Sequence, residues 1–179
     1  MHNIVLHNTI KNKQKDAIKN NDLELDFQPL INFKDMSITG FEALLRWNDA
    51  ELGNVRPDLF IPIAEKSGLI FDIDIWVFEQ AIKQVDQWRK HFHQDFIVAI
   101  NFSPTNFHHR EMMSWTQQHE IFLQSLDWVE LEVTERLMLD DDPVVLNGIK
   151  ELLKSGLQFS IDDFGTGYSS LGYIKKFSH

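Results

Sequence analysis

Two adjacent carboxylates, Asp162 and Asp163, stand at the end of the apolar run "QFSIDDF" (158–164), just before a glycine-punctuated loop. Strand side chains alternate faces with period two, and the same alternation sorts three further runs. In "FEALLRW" (41–47), Glu42, Leu44 and Arg46 share a face opposite Phe41, Ala43 and Leu45. In "FIVAINFS" (96–103), Asn101 and Ser103 oppose Ile100 and Phe102, and in "VELEVTE" (129–135), Glu130, Glu132 and Thr134 oppose Val129, Leu131 and Val133. Ser160 and Asp162 oppose Phe159 and Ile161. Four strands can therefore each bring an oxygen ligand to one place.

Converging carboxylates do not all stay ionised in a confined site without positive charge. Glu42, Glu132, Asp162 and Asp163 together carry about four negative charges, which two divalent cations would balance. Every donor, the Asn101 amide included, is an oxygen, which favours hard cations such as Mg²⁺ or Mn²⁺. An aspartate pair can bridge two ions about 3.5–4 Å apart, the clamp used for in-line phosphoryl displacement. Arg46 adds a charge-assisted fork for a phosphate. Taken singly, each piece has a plainer reading. Asp162-Asp163-Phe164-Gly165 suits a turn, Arg46 a surface ion pair, and Asn101 a cap for the next helix. The coincidence on four strands is what is specific.

The elements that must position these groups alternate. A polar helix is expected over 9–22, strands over 23–33 and 38–47, and a loop around Gly53 and Pro57. Helices follow over 57–68 and 72–92, the second with Ile75, Phe78, Ile82, Val85 and Phe92 as one apolar stripe. Strands at 96–103, 129–135 and 158–164 are separated by a helical stretch to about 124 and a helix opened by Pro143. A last helix is expected over 169–177. Strands alternating with helices indicate a mostly parallel sheet, and barrels of that kind carry their sites at the C-terminal strand ends.

Composition narrows the classes. The 179 residues are 43% hydrophobic, enough for one sizeable core. There is no cysteine, which excludes disulfides and thiolate metal sites and fits a reducing, cytoplasmic setting. A net charge of −10 argues against binding nucleic acid polymers. No apolar run approaches the roughly 20 residues of a membrane span. The pairs His91/His93 and His108/His109 lack helical zinc spacing and read as solvated helix ends. The five tryptophans are scattered and read as packing residues.

"FEALLRW", "FIPIAEKSGLI", "INFSPTNF", "LEVTE" and "IDDFGTGYSSLGYIKKF" resemble successive motifs of the EAL domain, the cyclic di-GMP phosphodiesterases of bacterial signalling. The resemblance implies an α/β fold, a modified TIM-type (β/α)8 barrel whose first strand runs antiparallel to the rest. It implies an N-terminal extension over 1–13 and a partial EAL domain over 14–179. Motif matching gives Glu42, Asn101, Glu132, Asp162 and Asp163 the metal-ligand roles, with Glu42, Asp162 and Asp163 central to catalysis. Arg46 matches the phosphate-contacting arginine, and Gln28 and Leu44 match substrate-pocket positions. Glu135 matches the glutamate that steadies the following loop (164–170), which in the family supports the metal site and homodimerisation.

The family pattern continues past "YIKKF" with a lysine near the attacking water, a later metal-binding glutamate and a guanine-holding loop. None lies within these residues, so about five strands of an incomplete barrel are expected, with the second of two Mg²⁺ or Mn²⁺ positions incomplete. A full barrel has eight strands and about 250 residues. The implied activity is hydrolysis of cyclic di-GMP to linear pGpG, with little turnover expected from this span alone. The alternatives are a non-catalytic EAL module that binds cyclic di-GMP or a protein, and a metal-dependent hydrolase of another phosphoester.

Overall fold

The computed structural model describes residues 2–134 and 142–162. Helix α1 (His2–Ala17) leads into the hairpin of β1 (Leu23–Ile31) and β2 (Ile38–Asp49), followed by β3 (Gly53–Val55). Helices α2 (Pro57–Ser67) and α3 (Ile70–Phe92) precede β4 (Ile97–Asn101). A 3₁₀ turn (Pro104–His108), α4 (Met112–Gln118) and α5 (Glu120–Leu123) lead to β5 (Val129–Thr134). Helix α6 (Pro143–Lys154) then leads to β6 (Gln158–Asp162).

The main strands form one sheet in the order β1-β2-β4-β5-β6. β1 is antiparallel to β2, whereas β2, β4, β5 and β6 run parallel. Successive parallel neighbours joined through helices make this an open portion of a (β/α) barrel with an inverted first strand, as the resemblance implies. Among the described residues, β1 and β6 form the sheet's two edges. The stretch around Gly53, expected as loop, is instead strand β3, with Val55 opposite Trp47 of β2. Three residues carry no readable periodicity, so only their hydrogen bonds to β2 identify them.

Period-two alternation divides the sheet cleanly. Phe41, Ala43, Val98, Ile100, Leu131 and Val133 belong to the main core with α3 and α6, whereas Glu42, Asn101 and Glu132 face the other way. Trp88 of α3 packs on the core face, with its ring 5.0 Å from Phe27 and 4.7 Å from Phe41. The buried stripe of α3 runs through Ile70, Ile73, Val77, Ala81 and Val85. The expected stripe is correct at Phe78, Ile82 and Val85, but Ile75 is only partly buried and Phe92 is 56% exposed. Phe92 is the last residue of α3, where His93 takes a left-handed conformation at φ 52° and turns the chain away.

Helix ends follow local chemistry. Pro57 opens α2, and Gly68 closes it at φ 74°, a conformation glycine adopts without steric cost. Asp142 caps α6 by accepting a hydrogen bond from Val144 N at 2.9 Å. Helix α1 starts earlier and ends sooner than expected, because Asp22 N bonds back to Ala17 O at 3.0 Å and ends the run. It seats Ile10 and Ala17 in a second small core with Trp47, Phe60 and Ile63. Gln14 Nε2 donates to Phe60 O at 2.7 Å, tying α1 to α2.

Candidate functional site

Strand register decides which oxygens meet. Gln28 of β1 lies directly opposite Glu42 of β2. Glu42 is level with Ala99 of β4, and Asn101 is level with Glu132 of β5. Two residues farther along, Thr134 is level with Asp162, the last residue of β6. Asn101 Nδ2 donates to Glu42 Oε1 at 3.1 Å, joining groups 59 residues apart in sequence. The structure thus brings Gln28, Glu42, Asn101 and Glu132 to one end of the inward face. Glu135, Asp163 and the loop 164–170 lie outside the described residues.

Asn101 is not a helix cap. That role falls to Ser103, whose Oγ accepts from Thr105 N at 3.4 Å at the start of the 3₁₀ turn. Among the described residues, Asn101 Oδ1 and Glu42 Oε2 have no hydrogen-bond partner. Among the described residues, two oxygen acceptors on neighbouring strands are thus left for a cation. Their chemistry fits a hard divalent ion such as Mg²⁺ or Mn²⁺. Among the described residues no three His, Asp or Glu side chains gather as a metal-binding group.

Arg46 is held in place by its neighbours. Its Nε donates to Asp26 Oδ2 at 2.7 Å, and its Nη1 donates to Leu45 O at 3.0 Å. Nη2 has no protein partner among the described residues and remains available for an anion. A cavity of about 660 Å³ is lined by Leu44, Arg46, Asn101 and Glu132, and also by Glu65 and Asp74. That volume falls within the roughly 300–1,000 Å³ typical of small-molecule sites.

Sequence reasoning missed three members of this neighbourhood. Asp26 shares the inward face with Gln28 by simple alternation, so its pairing with Arg46 was within reach. Asp74 interrupts the apolar stripe of α3, and a charged residue on a buried face is itself a signal. Glu65 carried no such mark. Asp74 is 7% exposed. Burial pushes its carboxyl from the ordinary 3.8 up to about 7, against the opposing pull of hydrogen bonds from Ser103 N and the Asn106 amide.

Among the described residues the histidines share no common centre. His109 stacks on Phe71 at 4.3 Å, so it is a packing residue rather than a solvated end, while His108 Nε2 lies 3.0 Å from Asp142 Oδ2. The tryptophans pack as expected, with Trp47 fully buried against Phe60 and Trp115 edge-on to Phe78. Among the described residues, no helix is long and apolar enough to cross a membrane.

Oxygen donors at the C-terminal edge of parallel strands, beside an arginine and a ligand-sized cavity, define a candidate small-molecule site on a (β/α) barrel. The chain belongs to the EAL domain family, whose model matches residues 11–178. It is 37% identical over 164 residues to the bifunctional diguanylate cyclase/cyclic di-GMP phosphodiesterase MucR of Pseudomonas aeruginosa, covering 90% of this chain and 24% of that protein. The structure of the PaMucR phosphodiesterase in its c-di-GMP complex superposes with a TM-score of 0.81 at 35% identity, covering 94% of this chain and 68% of that one. The EAL enzyme Bd1971, bound to cAMP and cyclic-di-GMP, gives a TM-score of 0.78 at 34% identity, covering 97% and 48%. The chain spans about a quarter of the length of MucR.

Proposed function

We propose that this chain supplies the metal-binding strands for hydrolysis of cyclic di-GMP to linear pGpG with Mg²⁺ or Mn²⁺, and that turnover needs the lysine, later glutamate and guanine-holding loop of the family pattern as well. The observation that carries the reading is the Asn101–Glu42 contact at 3.1 Å, with Glu132 in register beside Asn101. It gathers oxygen donors from three strands next to an arginine whose Nη2 has no partner among the described residues. Glu42, Asn101, Glu132, Asp162 and Asp163 would hold the cations. When bound, these would polarise a phosphoryl oxygen and lower the pKa of a water.

The chain's own residues supply orientation. Arg46 offers Nη2 to a phosphate oxygen and is kept from swinging away by Asp26. Leu44 lines the cavity as an apolar wall, and Gln28 offers an amide across from Glu42. In the reaction, the oxygen of water bonds to one phosphorus and the P–O bond to the ribose 3′ oxygen breaks. The proton released by water ends on that oxygen.

The test is to incubate a chain extended through the remaining family motifs with cyclic di-GMP and Mn²⁺ and follow pGpG by chromatography, with and without EDTA. EDTA-sensitive pGpG formation is expected. Tight binding of cyclic di-GMP without pGpG would assign a non-catalytic binding module instead, and absence of both would overturn the substrate.

A further inference from the structure

Asp74 is a buried carboxylate that takes no part in the proposed chemistry, yet it lines the same cavity as Asn101 and Glu132. Its Oδ2 accepts two hydrogen bonds, from Ser103 N at 2.9 Å and from Asn106 Nδ2 at 2.7 Å. Both donors belong to the turn by which the chain leaves β4. Ser103 Oγ is tied again, donating to Glu65 Oε1 of α2 at 2.7 Å. Between Ser103 and Asn101 only Phe102 intervenes, and its backbone N donates to Glu132 O at 2.9 Å. The turn is thus fixed by two helices on one side and by β5 on the other.

An apolar residue at position 74 would fill the same space without the desolvation cost of a carboxyl group. What aspartate offers instead is acceptor capacity for the turn. Ser103 N and the Asn106 amide would otherwise be left buried without partners, at a cost that a core contact does not carry. Asn101 closes β4 immediately before this turn, so the direction of its side chain depends on where the turn is held.

We propose that Asp74 is a positioning residue for the candidate site, anchoring the turn 103–106 from α3 and thereby fixing the Asn101 side chain against Glu42. The inference rests on Asn101 being a working residue of the site, but the geometry it asserts can be read without any metal. The Asn101 side-chain amide, resolved in ¹⁵N spectra of the full 179-residue chain, reports its contact with Glu42 directly. In Asp74→Ala the two amide protons should lose their shift separation and exchange faster with water. Asp74→Asn keeps an acceptor and should restore the wild-type pattern. Val85→Ala, a fully buried position of α3 outside the turn, controls for general loss of stability. If Asp74→Ala does not fold, Asn106→Ala removes one of the two contacts and should produce the same change in part.

A parallel Mn²⁺ titration should show affinity falling about tenfold or more in Asp74→Ala, the usual scale when an orienting partner is lost. Asn101 signals that stay at wild-type positions in the folded variant, or that move equally in Val85→Ala, would overturn the proposal, even where Mn²⁺ binds. Asn101 signals that respond as expected in a chain that binds no Mn²⁺ would support the positioning role and overturn the metal reading instead.

Discussion

Arg46 of β2 reaches diagonally across the hairpin to Asp26 of β1, Nε to Oδ2 at 2.7 Å, although its direct cross-strand neighbour is Glu24. Both side chains are solvent-accessible, at 32% and 65%, so the pair adds little to stability. Its consequence is for binding. The carboxylate orients the guanidinium and also competes with any phosphate for it.

Asp26→Asn is therefore expected to tighten binding of cyclic di-GMP by about three- to tenfold at low salt, since a nearby negative charge repels phosphate. The gain should shrink in 0.5 M salt, roughly where the screening length falls below 5 Å. Arg46→Ala should weaken binding in both conditions. Isothermal titration of the three proteins, with EDTA present to prevent turnover, decides the matter. Weaker binding by Asp26→Asn would mean that orientation outweighs competition.

Glu42→Gln keeps an oxygen to accept from Asn101 while removing the charge a cation needs. In a chain extended through the remaining family motifs, formation of pGpG should fall by at least about a hundredfold, with the circular dichroism spectrum unchanged. Because Glu42 faces away from the helices, the fold does not depend on its charge. Retention of most activity would remove Glu42 from the site.

Asp74 should make stability pH-dependent. Its folded-state ionisation lies near 7, above the ordinary 3.8, chiefly because burial disfavours the charged form. Between about pH 4 and 7 the native state holds a proton that the unfolded chain has released, so stability falls as pH rises through that window. Above pH 7 the loss is complete, on the order of 4 kcal/mol at about 1.4 kcal/mol per pH unit. Urea unfolding at pH 5 and pH 8 should show the part of this loss that falls above pH 5, about 3 kcal/mol, in the wild type and little of it in Asp74→Asn. Identical pH slopes in the two proteins would contradict the assignment.

Gly40 lies level with Ile97 where β2 pairs with β4. A Cβ there would run into the Ile97 carbonyl oxygen and its side chain. Backbone on a central strand pair cannot retreat as a flexible side chain can. Gly40→Ala should cost about 1–3 kcal/mol, read as a lowered urea midpoint. An unchanged midpoint would show that the two strands can separate without loss.

The sequence alone determined the faces of the strands. Alternation depends only on the tetrahedral geometry of the backbone, so Glu42, Asn101 and Glu132 could be assigned to one side of a sheet, and Phe41, Ile100 and Val133 to the other, before any pairing was known. Motif order likewise identified the family and the inverted first strand. Tertiary structure decided what alternation cannot express. Register placed Asn101 level with Glu132 and within hydrogen-bond reach of Glu42, because pairing between strands is a long-range choice that period two leaves open. Docking of α3 brought Asp74 to the turn after β4 and left Phe92 exposed at the helix end, since burial depends on where a helix stops against its sheet. Asp26 found Arg46 for the same reason. Two charges on one face become partners only when a hairpin register sets them a few ångströms apart.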